Sequence, residues 1–149
     1  MQNLFEEATF EQINERLESL SPNSKGQWGK MEAEQMLAHC SAVLELATGQ
    51  ATYPRSFIGR IMGTFIKATY YNEKQLARNS PTDSNFLIKD QRDFDVEKKR
   101  LIRLIKEFHD GGEAKCTSNP HPFFGKLTPE QWAIGMYKHL DHHLRQFNS

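Results

Sequence analysis

Residues 128–146, TPEQWAIGMYKHLDHHLRQ, form the clearest predicted helix of the chain and decide the fold class. Thr128 is placed as an N-cap, Pro129 occupies the first helical position, and Gln131 completes a capping box. On a helical wheel of about 100° per residue, the apolar residues that follow fall on one side. A helix with one apolar side must bury it, so the rest of the chain has to supply packing partners.

Upstream of this helix, caps, apolar periodicity and helix breakers predict further helices and no convincing strand. We therefore expect one all-α domain over residues 1–149, most simply a four-helix bundle with short extra pieces. Gly59 and Gly63 lie four residues apart in the third helix, where Arg60 and Lys67 favour close packing in water over pairing in a membrane. Four helices are expected upstream. The first begins at an N-cap at Thr9 and is stopped by Pro22, and the second covers about 31–48. The third includes 57–66, and the fourth covers about 93–108 and is ended by Gly111 and Gly112.

The charge balance and the cysteine pattern exclude several classes of protein. Lysine plus arginine and aspartate plus glutamate number 19 each, so the 149-residue chain has zero net charge. This balance argues against nucleic-acid binding and electrostatic membrane attachment, and no window reaches the roughly 18 apolar residues of a membrane span. The first ten residues are too acidic for a signal peptide, and Cys40 and Cys116 form no metal or redox motif. These features predict a cytoplasmic protein with free thiols.

Two histidines of the last helix lie on its apolar side. His139 and His143 fall within about 20° of Trp132 on the wheel and are four residues apart, so their rings lie one turn above the other. Two imidazoles at this spacing can bind one metal ion. His39 is the expected third ligand, because it lies on the inward side of the second predicted helix. Three imidazoles and one open position are typical of a catalytic metal site, and they suit zinc, nickel, iron(II) or copper.

Less specific interpretations stay open for the histidines and for their neighbours. Inward histidines can be hydrogen-bonded core residues, since a helical His-x-x-x-His spacing without a further signature is a weak motif. His142 falls at the edge of the apolar stripe, and Asp141 points away from it. The other expectations are a core thiol for Cys40, a loop position for His121, an interaction with the helix dipole for His109, and core anchors for Trp28 and Trp132.

Four segments carry a resemblance to a known superfamily. HLDHHLRQ (residues 139–146) resembles the last-helix signature of the DinB/YfiT-like superfamily, and QMLAH (35–39) resembles its second-helix ligand segment. The stretch from HPFFG (121–125) through Trp132, together with QWGKM (27–31), looks like one uncharacterised branch of it. The resemblance implies a four-helix bundle with a long crossover, often a homodimer, and the metal ligands His39, His139 and His143. It further implies a metal-dependent enzyme that uses a low-molecular-weight thiol.

Several functions are therefore in competition. The first is a metal-dependent enzyme with a divalent metal (zinc, nickel or iron) on the three histidines, which acts on a small-molecule substrate as a thiol S-transferase or a hydrolase. The second is a non-catalytic bundle that binds a small ligand or serves as a dimer scaffold. A third, a metal-responsive binding protein, would bind a partner without turnover.

Overall fold

Five α-helices, one short 3-10 helix and no strands make up the chain, for which the computed structural model describes residues 1–149. The all-α prediction is confirmed. An isolated bridge between His121 and Gly125 is the only strand-like pairing. The elements are α1 (Glu7–Ser19), α2 (Ala33–Ala47), α3 (Phe57–Tyr70), the 3-10 helix (Ser84–Phe86), α4 (Phe94–Lys115) and α5 (Pro129–Gln146).

The helices α1, α2, α4 and α5 pack on one another around an apolar core. Helix α2 makes its most extensive contacts with α4, and both α1 and α2 pack against α5. This arrangement is consistent with a four-helix bundle. Leu37 on α2, Leu104 on α4 and Trp132 on α5 are among the fully buried side chains. None of the helices combines the length and the apolar composition that a membrane-spanning segment requires.

Local sequence signals place the start of α5 correctly and misplace the start of α1. Thr128 accepts a hydrogen bond from the N–H of Gln131, whose side chain accepts from the N–H of Thr128. The prediction of Thr9 as the N-cap of α1 is wrong, since the helix begins at Glu7. The Thr9 hydroxyl lies inside the first turn and donates to the Glu6 carboxylate at 3.2 Å, so it forms no cap.

Helix α4 extends beyond its predicted end and runs to Lys115. Gly112 has φ 54° and ψ −155°, outside the helical region, so the path of the helix bends at the predicted position. A further turn follows, and the N–H of Cys116 donates to the Glu113 carbonyl. The glycine pair therefore marks a kink, because the chain resumes a helical conformation beyond it.

Helix α3 lies in the long crossover between α2 and α4 and packs along no other helix, although Lys138 of α5 donates to the Tyr70 carbonyl at its C-terminal end. Its first two turns contact the rest of the protein through Gly59 and Gly63, which face the backbone of Phe123. A Cβ atom at Gly59 would lie 2.6 Å from the Phe123 carbonyl oxygen, and one at Gly63 would lie closer still. The predicted close packing of these glycines is confirmed, and no side chain fits at either position.

Candidate metal centre

Three histidines from two helices converge where α2 meets α5. His39 comes from α2, and His139 and His143 come from successive turns of α5. One ring nitrogen of each lies within 4.8 Å of the other two, and Nε2 of His39 is 2.9 Å from Nε2 of His139. His39 and His143 are buried, whereas His139 is partly exposed. The three residues selected from the sequence therefore lie together, and metal binding by them stays a prediction.

A backbone carbonyl sets the proton position on His39. The carbonyl oxygen of Phe86, in the 3-10 helix of the crossover, lies 2.7 Å from Nδ1 of His39. A carbonyl only accepts, so Nδ1 carries the hydrogen and Nε2 keeps its lone pair. A histidine that binds metal through Nε2 needs this tautomer, and it usually has its other ring nitrogen fixed in this way.

Gln146 sets the proton position on His143. Its Oε1 lies 2.8 Å from Nδ1 of His143, and its Nε2 donates to the Trp28 carbonyl at 2.7 Å. Because Trp28 takes the donor end of the amide, the Gln146 oxygen must accept and Nδ1 of His143 must donate. Gly29, with φ +77°, leaves the space for this amide, since a Cβ atom there would lie 2.6 Å from Nε2 of Gln146.

The contact between His39 and His139 requires a positive centre between the two nitrogens. With Nε2 of His39 unprotonated, two facing lone pairs 2.9 Å apart would repel each other. Without a bound ion, Nε2 of His139 donates its hydrogen to Nε2 of His39, so the two neutral rings share an ordinary hydrogen bond. If an ion bound to the cluster, His139 would carry its hydrogen on Nδ1 and both Nε2 lone pairs would be available to hold the ion.

All three rings are held in the neutral form that binds metals. Desolvation by burial is the main cause of the lowered pKa of His39, and it lowers the pKa of His143 to about 3. The pKa of His139 lies well below its ordinary value because of desolvation and, next, the closeness of His143 and His39. Neutral imidazole is the metal ligand, so at pH 7 an ion can bind without a net loss of protons from the cluster.

The donor set fits a divalent ion after a small adjustment. Zinc-to-imidazole distances of about 2.0–2.1 Å place two ligands of a tetrahedral site roughly 3.4 Å apart. One pair of nitrogens lies 2.9 Å apart and none lies beyond 4.8 Å, so ring rotations would bring them to that spacing. No carboxylate or thiol joins the group, which leaves one coordination position for a water or a substrate atom.

Cys40 and Asp141 also have metal-binding side chains, but both have other partners. Cys40 is buried beside Met36, whose sulfur lies 3.7 Å from its own, and burial raises the pKa of the Cys40 thiol. Asp141 forms ion pairs with Arg16 at 2.9 Å and with Arg145 at 2.8 Å. The predictions of a core thiol and of a carboxylate that points away from the cluster are confirmed.

The prediction of Trp28 as a core anchor is wrong, whereas that of Trp132 is confirmed by its burial. Trp28 is only partly buried and has the Arg78 guanidinium 4.7 Å from its ring centre. Its other neighbour is His142, whose ring centre lies 5.6 Å away in an edge-on arrangement. Trp28 is thus not part of the core, and its backbone carbonyl accepts a hydrogen bond from Gln146. His142 is buried outside the metal-ligand group.

The loop position predicted for His121 is confirmed, and the dipole interaction predicted for His109 stays a prediction. Nδ1 of His121 accepts hydrogen bonds from the N–H groups of Phe123 at 3.0 Å and Phe124 at 3.2 Å. His109 donates from Nδ1 to the Leu4 carbonyl at 2.8 Å. It therefore connects the segment before α1 to α4, three residues before the kink at Gly112.

Sequence reasoning missed the groups that orient the site. Two of them are the backbone carbonyls of Phe86 and Trp28, and a backbone acceptor has no residue-type signature. Gln146 carried a usable signal, since it follows His143 by three residues on the same helix face.

A surface cavity of about 210 Å³ lies beside α5, with Asn72, Tyr137 and Lys138 in its wall. None of the three clustered histidines lines it. Of the three, only His139 is not fully buried, so any opening toward the cluster lies on the His139 side.

Comparison with known families assigns the chain and corrects an expectation. Residues 4–149 match the family described as "Protein of unknown function (DUF1569)". None of the curated proteins and none of the solved structures matches the chain significantly. The assignment to the DinB/YfiT-like superfamily is wrong, because the match is to this other family and no DinB/YfiT match is found. The histidine motifs do not identify that superfamily, because any helical bundle can direct a His-x-x-x-His pair and a third histidine inward. The chain belongs to the DUF1569 family.

Proposed function

We propose that this protein is a metal-dependent enzyme in which His39, His139 and His143 bind one divalent ion. The observation that carries the proposal is the pair of outer hydrogen bonds, from His39 to the Phe86 carbonyl and from His143 to Gln146. These bonds leave two unprotonated Nε2 atoms in a cluster of three histidines. Metal-binding histidines commonly have such partners, which fix the tautomer and the ring orientation.

The reaction that we propose is hydrolysis of a small-molecule substrate or transfer of a low-molecular-weight thiol to it. A divalent ion on three imidazoles supplies a water or thiol nucleophile at neutral pH. The chain leaves one coordination position free and holds the His39 and His143 rings through Phe86 and Gln146. Since His39 and His143 are buried, we expect the substrate to approach past the partly exposed His139.

Metal content tests the site itself. Elemental mass spectrometry on protein purified without a His-tag should give about one equivalent of zinc, nickel or iron, which all suit three imidazoles. The His39→Ala/His139→Ala/His143→Ala variant should hold almost none. His142→Ala is the matched control, because His142 is buried on the same helix but lies outside the cluster, and it should keep the metal. Absence of metal from the wild type, even after incubation with each ion, would reject the site.

Turnover tests the enzyme. Metal-loaded protein should hydrolyse members of an ester and phosphoester panel, or conjugate a small thiol to an electrophile, and His139→Ala should abolish the rate. Metal-loaded, folded protein without a rate on either panel would reject catalysis and leave metal binding in place.

A non-catalytic bundle is the second candidate, and the 2.9 Å contact between His39 and His139 favours it. If Nε2 of His139 donates to Nε2 of His39, the histidines satisfy one another as a polar core network. Thermal unfolding separates the two candidates. Zinc, nickel or iron(II) should raise the Tm of the wild type if the cluster is a metal site, and should leave it unchanged if the cluster is a core network.

A further inference from the structure

Helix α3 turns its apolar side away from the bundle. Its other side is held by Gly59 and Gly63 against the Phe123 backbone. A soluble monomer rarely exposes a contiguous apolar patch larger than a few hundred Å². The outward side carries six large side chains with exposed fractions between 36% and 77%, which we call the α3 patch: Phe57, Ile58, Ile61, Met62, Phe65 and Ile66.

The α3 patch cannot reach the core by rotation of the helix, because both ends of α3 are tethered. At the start, the N–H of Ser56 donates to the Pro122 carbonyl at 3.0 Å. Near the end, Nζ of Lys67 donates to the Lys126 carbonyl at 2.8 Å. Rotation would also replace the two glycines at the Phe123 backbone with bulky side chains. The outward orientation is therefore built into the packing of α3.

The sequence of the α3 patch fits a second copy of the same helix. Two identical Phe-Ile doublets, 57–58 and 65–66, lie four residues before and four residues after the central doublet, 61–62. A two-fold axis through the central doublet pairs the first Phe-Ile doublet of one copy with the second of the other, as a self-complementary dimer contact requires. Residues four apart also form ridges, and two helices interlock such ridges at a crossing angle of about −50°.

We propose that two copies of this protein pair α3 against α3, antiparallel, to form a homodimer. Six side chains of this size and exposure present roughly 700 Å² of surface. A standard stable interface uses about 800 Å² from each partner, so the patch and its immediate rim suffice. The proposal is independent of the histidine cluster, which contributes nothing to the patch.

A membrane surface fits the α3 patch less well than a second copy does. A helix that lies on a membrane keeps a strongly charged side in water. The side of α3 opposite the patch is covered by Phe123, and Lys67 is engaged with the Lys126 carbonyl. The zero net charge of the chain also removes a general attraction to anionic lipid.

Sedimentation equilibrium tests the dimer directly. The wild type should have twice the chain mass of 17.3 kDa and dissociate on dilution. Ile61→Glu/Phe65→Glu should be a monomer with an unchanged circular dichroism spectrum, because both side chains are exposed in the single chain. Val96→Glu is the matched control, since Val96 is 61% exposed on α4, and it should remain a dimer.

Cysteine cross-linking tests the antiparallel geometry. Met62→Cys, in a Cys116→Ser background, places a thiol next to the proposed axis and should give a covalent dimer under mild oxidation. Val96→Cys in the same background should not. A wild type that stays monomeric at all concentrations, or a dimer that survives Ile61→Glu/Phe65→Glu, would overturn the proposal. Binding of the monomeric wild type to phosphatidylcholine/phosphatidylserine vesicles would also overturn it and assign the patch to a membrane.

Discussion

Nδ1 of His143 lies 2.8 Å from Oε1 of Gln146, one turn further along α5, and the same amide is anchored on the Trp28 carbonyl. One glutamine thus joins the candidate site to the segment that precedes α2. Its effect on His143 is a matter of orientation, because the amide touches the outer ring nitrogen and not the one that faces the cluster.

Replacing this glutamine should weaken the site without removing a ligand. Gln146→Leu fills a similar volume but frees Nδ1 of His143, so metal affinity should fall about 10- to 100-fold, as for other outer hydrogen bonds to metal-binding histidines. Competition against a chromophoric chelator measures this change. Gln146→Glu keeps an acceptor for His143 and should lose less. Equal affinity in Gln146→Leu and the wild type would show that His143 needs no fixed partner.

Gly29 should tolerate no side chain. Gly29→Ala combines φ +77° with a Cβ atom 2.6 Å from Nε2 of Gln146, and should lower the free energy of unfolding by about 1–3 kcal/mol. It should also lower the metal content, because Gln146 has to move. Gly49→Ala is the matched control, since Gly49 has φ +75° but a Cβ atom there would lie 3.3 Å from the Thr117 hydroxyl, far from Gln146 in the sequence. Urea unfolding and metal analysis of both variants separate backbone strain from the displacement of the amide.

Stability should fall on mild acidification. Burial lowers the pKa of His121 to about 4 from its ordinary 6.5, and the clustered histidines shift in the same direction. The unfolded chain therefore binds protons first as the pH decreases. The free energy of unfolding should be retained above about pH 6.5 and fall below it, by at most about 1.4 kcal/mol per pH unit for each histidine.

Substitution of His121 isolates its share of this slope. His121→Asn keeps a side-chain acceptor for the N–H groups of Phe123 and Phe124 but cannot titrate. Urea unfolding of metal-free protein between pH 7 and pH 4.5 should show a shallower dependence for this variant. Parallel curves for variant and wild type would mean that His121 is not kept neutral by the fold.

Lys138 should stabilise the crossover more than any surface lysine does. Its Nζ donates to the carbonyls of Tyr70, Asn72 and Lys74, at 2.6, 2.7 and 2.8 Å. Lys138→Met leaves these carbonyls unpaired and should lower the free energy of unfolding by about 2–4 kcal/mol.

A surface lysine provides the comparison for Lys138. Lys106→Met removes only the exposed ion pair with Asp110, and should change the free energy of unfolding by less than about 1 kcal/mol. Chemical denaturation of the two variants compares these losses in the free energy of unfolding. Similar losses would mean that the three carbonyls find water when the ammonium is removed.

The spacing of residues in the sequence predicted those features that are determined within a single helix. The α5 capping box and the His139–His143 pair follow from local periodicity, and His39 follows from the inward stripe of α2. The start of α1 was misplaced because the predicted cap, Thr9, is engaged by Glu6. In each case the success or failure of the prediction depended on residues within one or two helical turns of one another.

Features that depend on distant partners could not be predicted in this way. An apolar stripe on α3 indicates a buried side, but Gly59 and Gly63 decide its direction by fitting the Phe123 backbone, about 60 residues away in the chain. The carbonyl of Phe86 reaches His39 only once the crossover is folded. The direction of the α3 apolar side and the hydrogen-bond partner of His39 therefore depend on the backbone geometry of the crossover, which no residue pattern predicts.

The division of the cluster between α2 and α5 determines when the protein could acquire the metal that we propose. Helix α5 leaves the ribosome after the other four helices, so until it docks the nascent chain offers only His39 at this place. Before docking, the proposed ligands are therefore divided into one imidazole on α2 and a pair on α5, and neither set completes the site. Full metal affinity should thus follow folding, and a chain made under metal starvation should fold first and load later from whatever pool the cell restores.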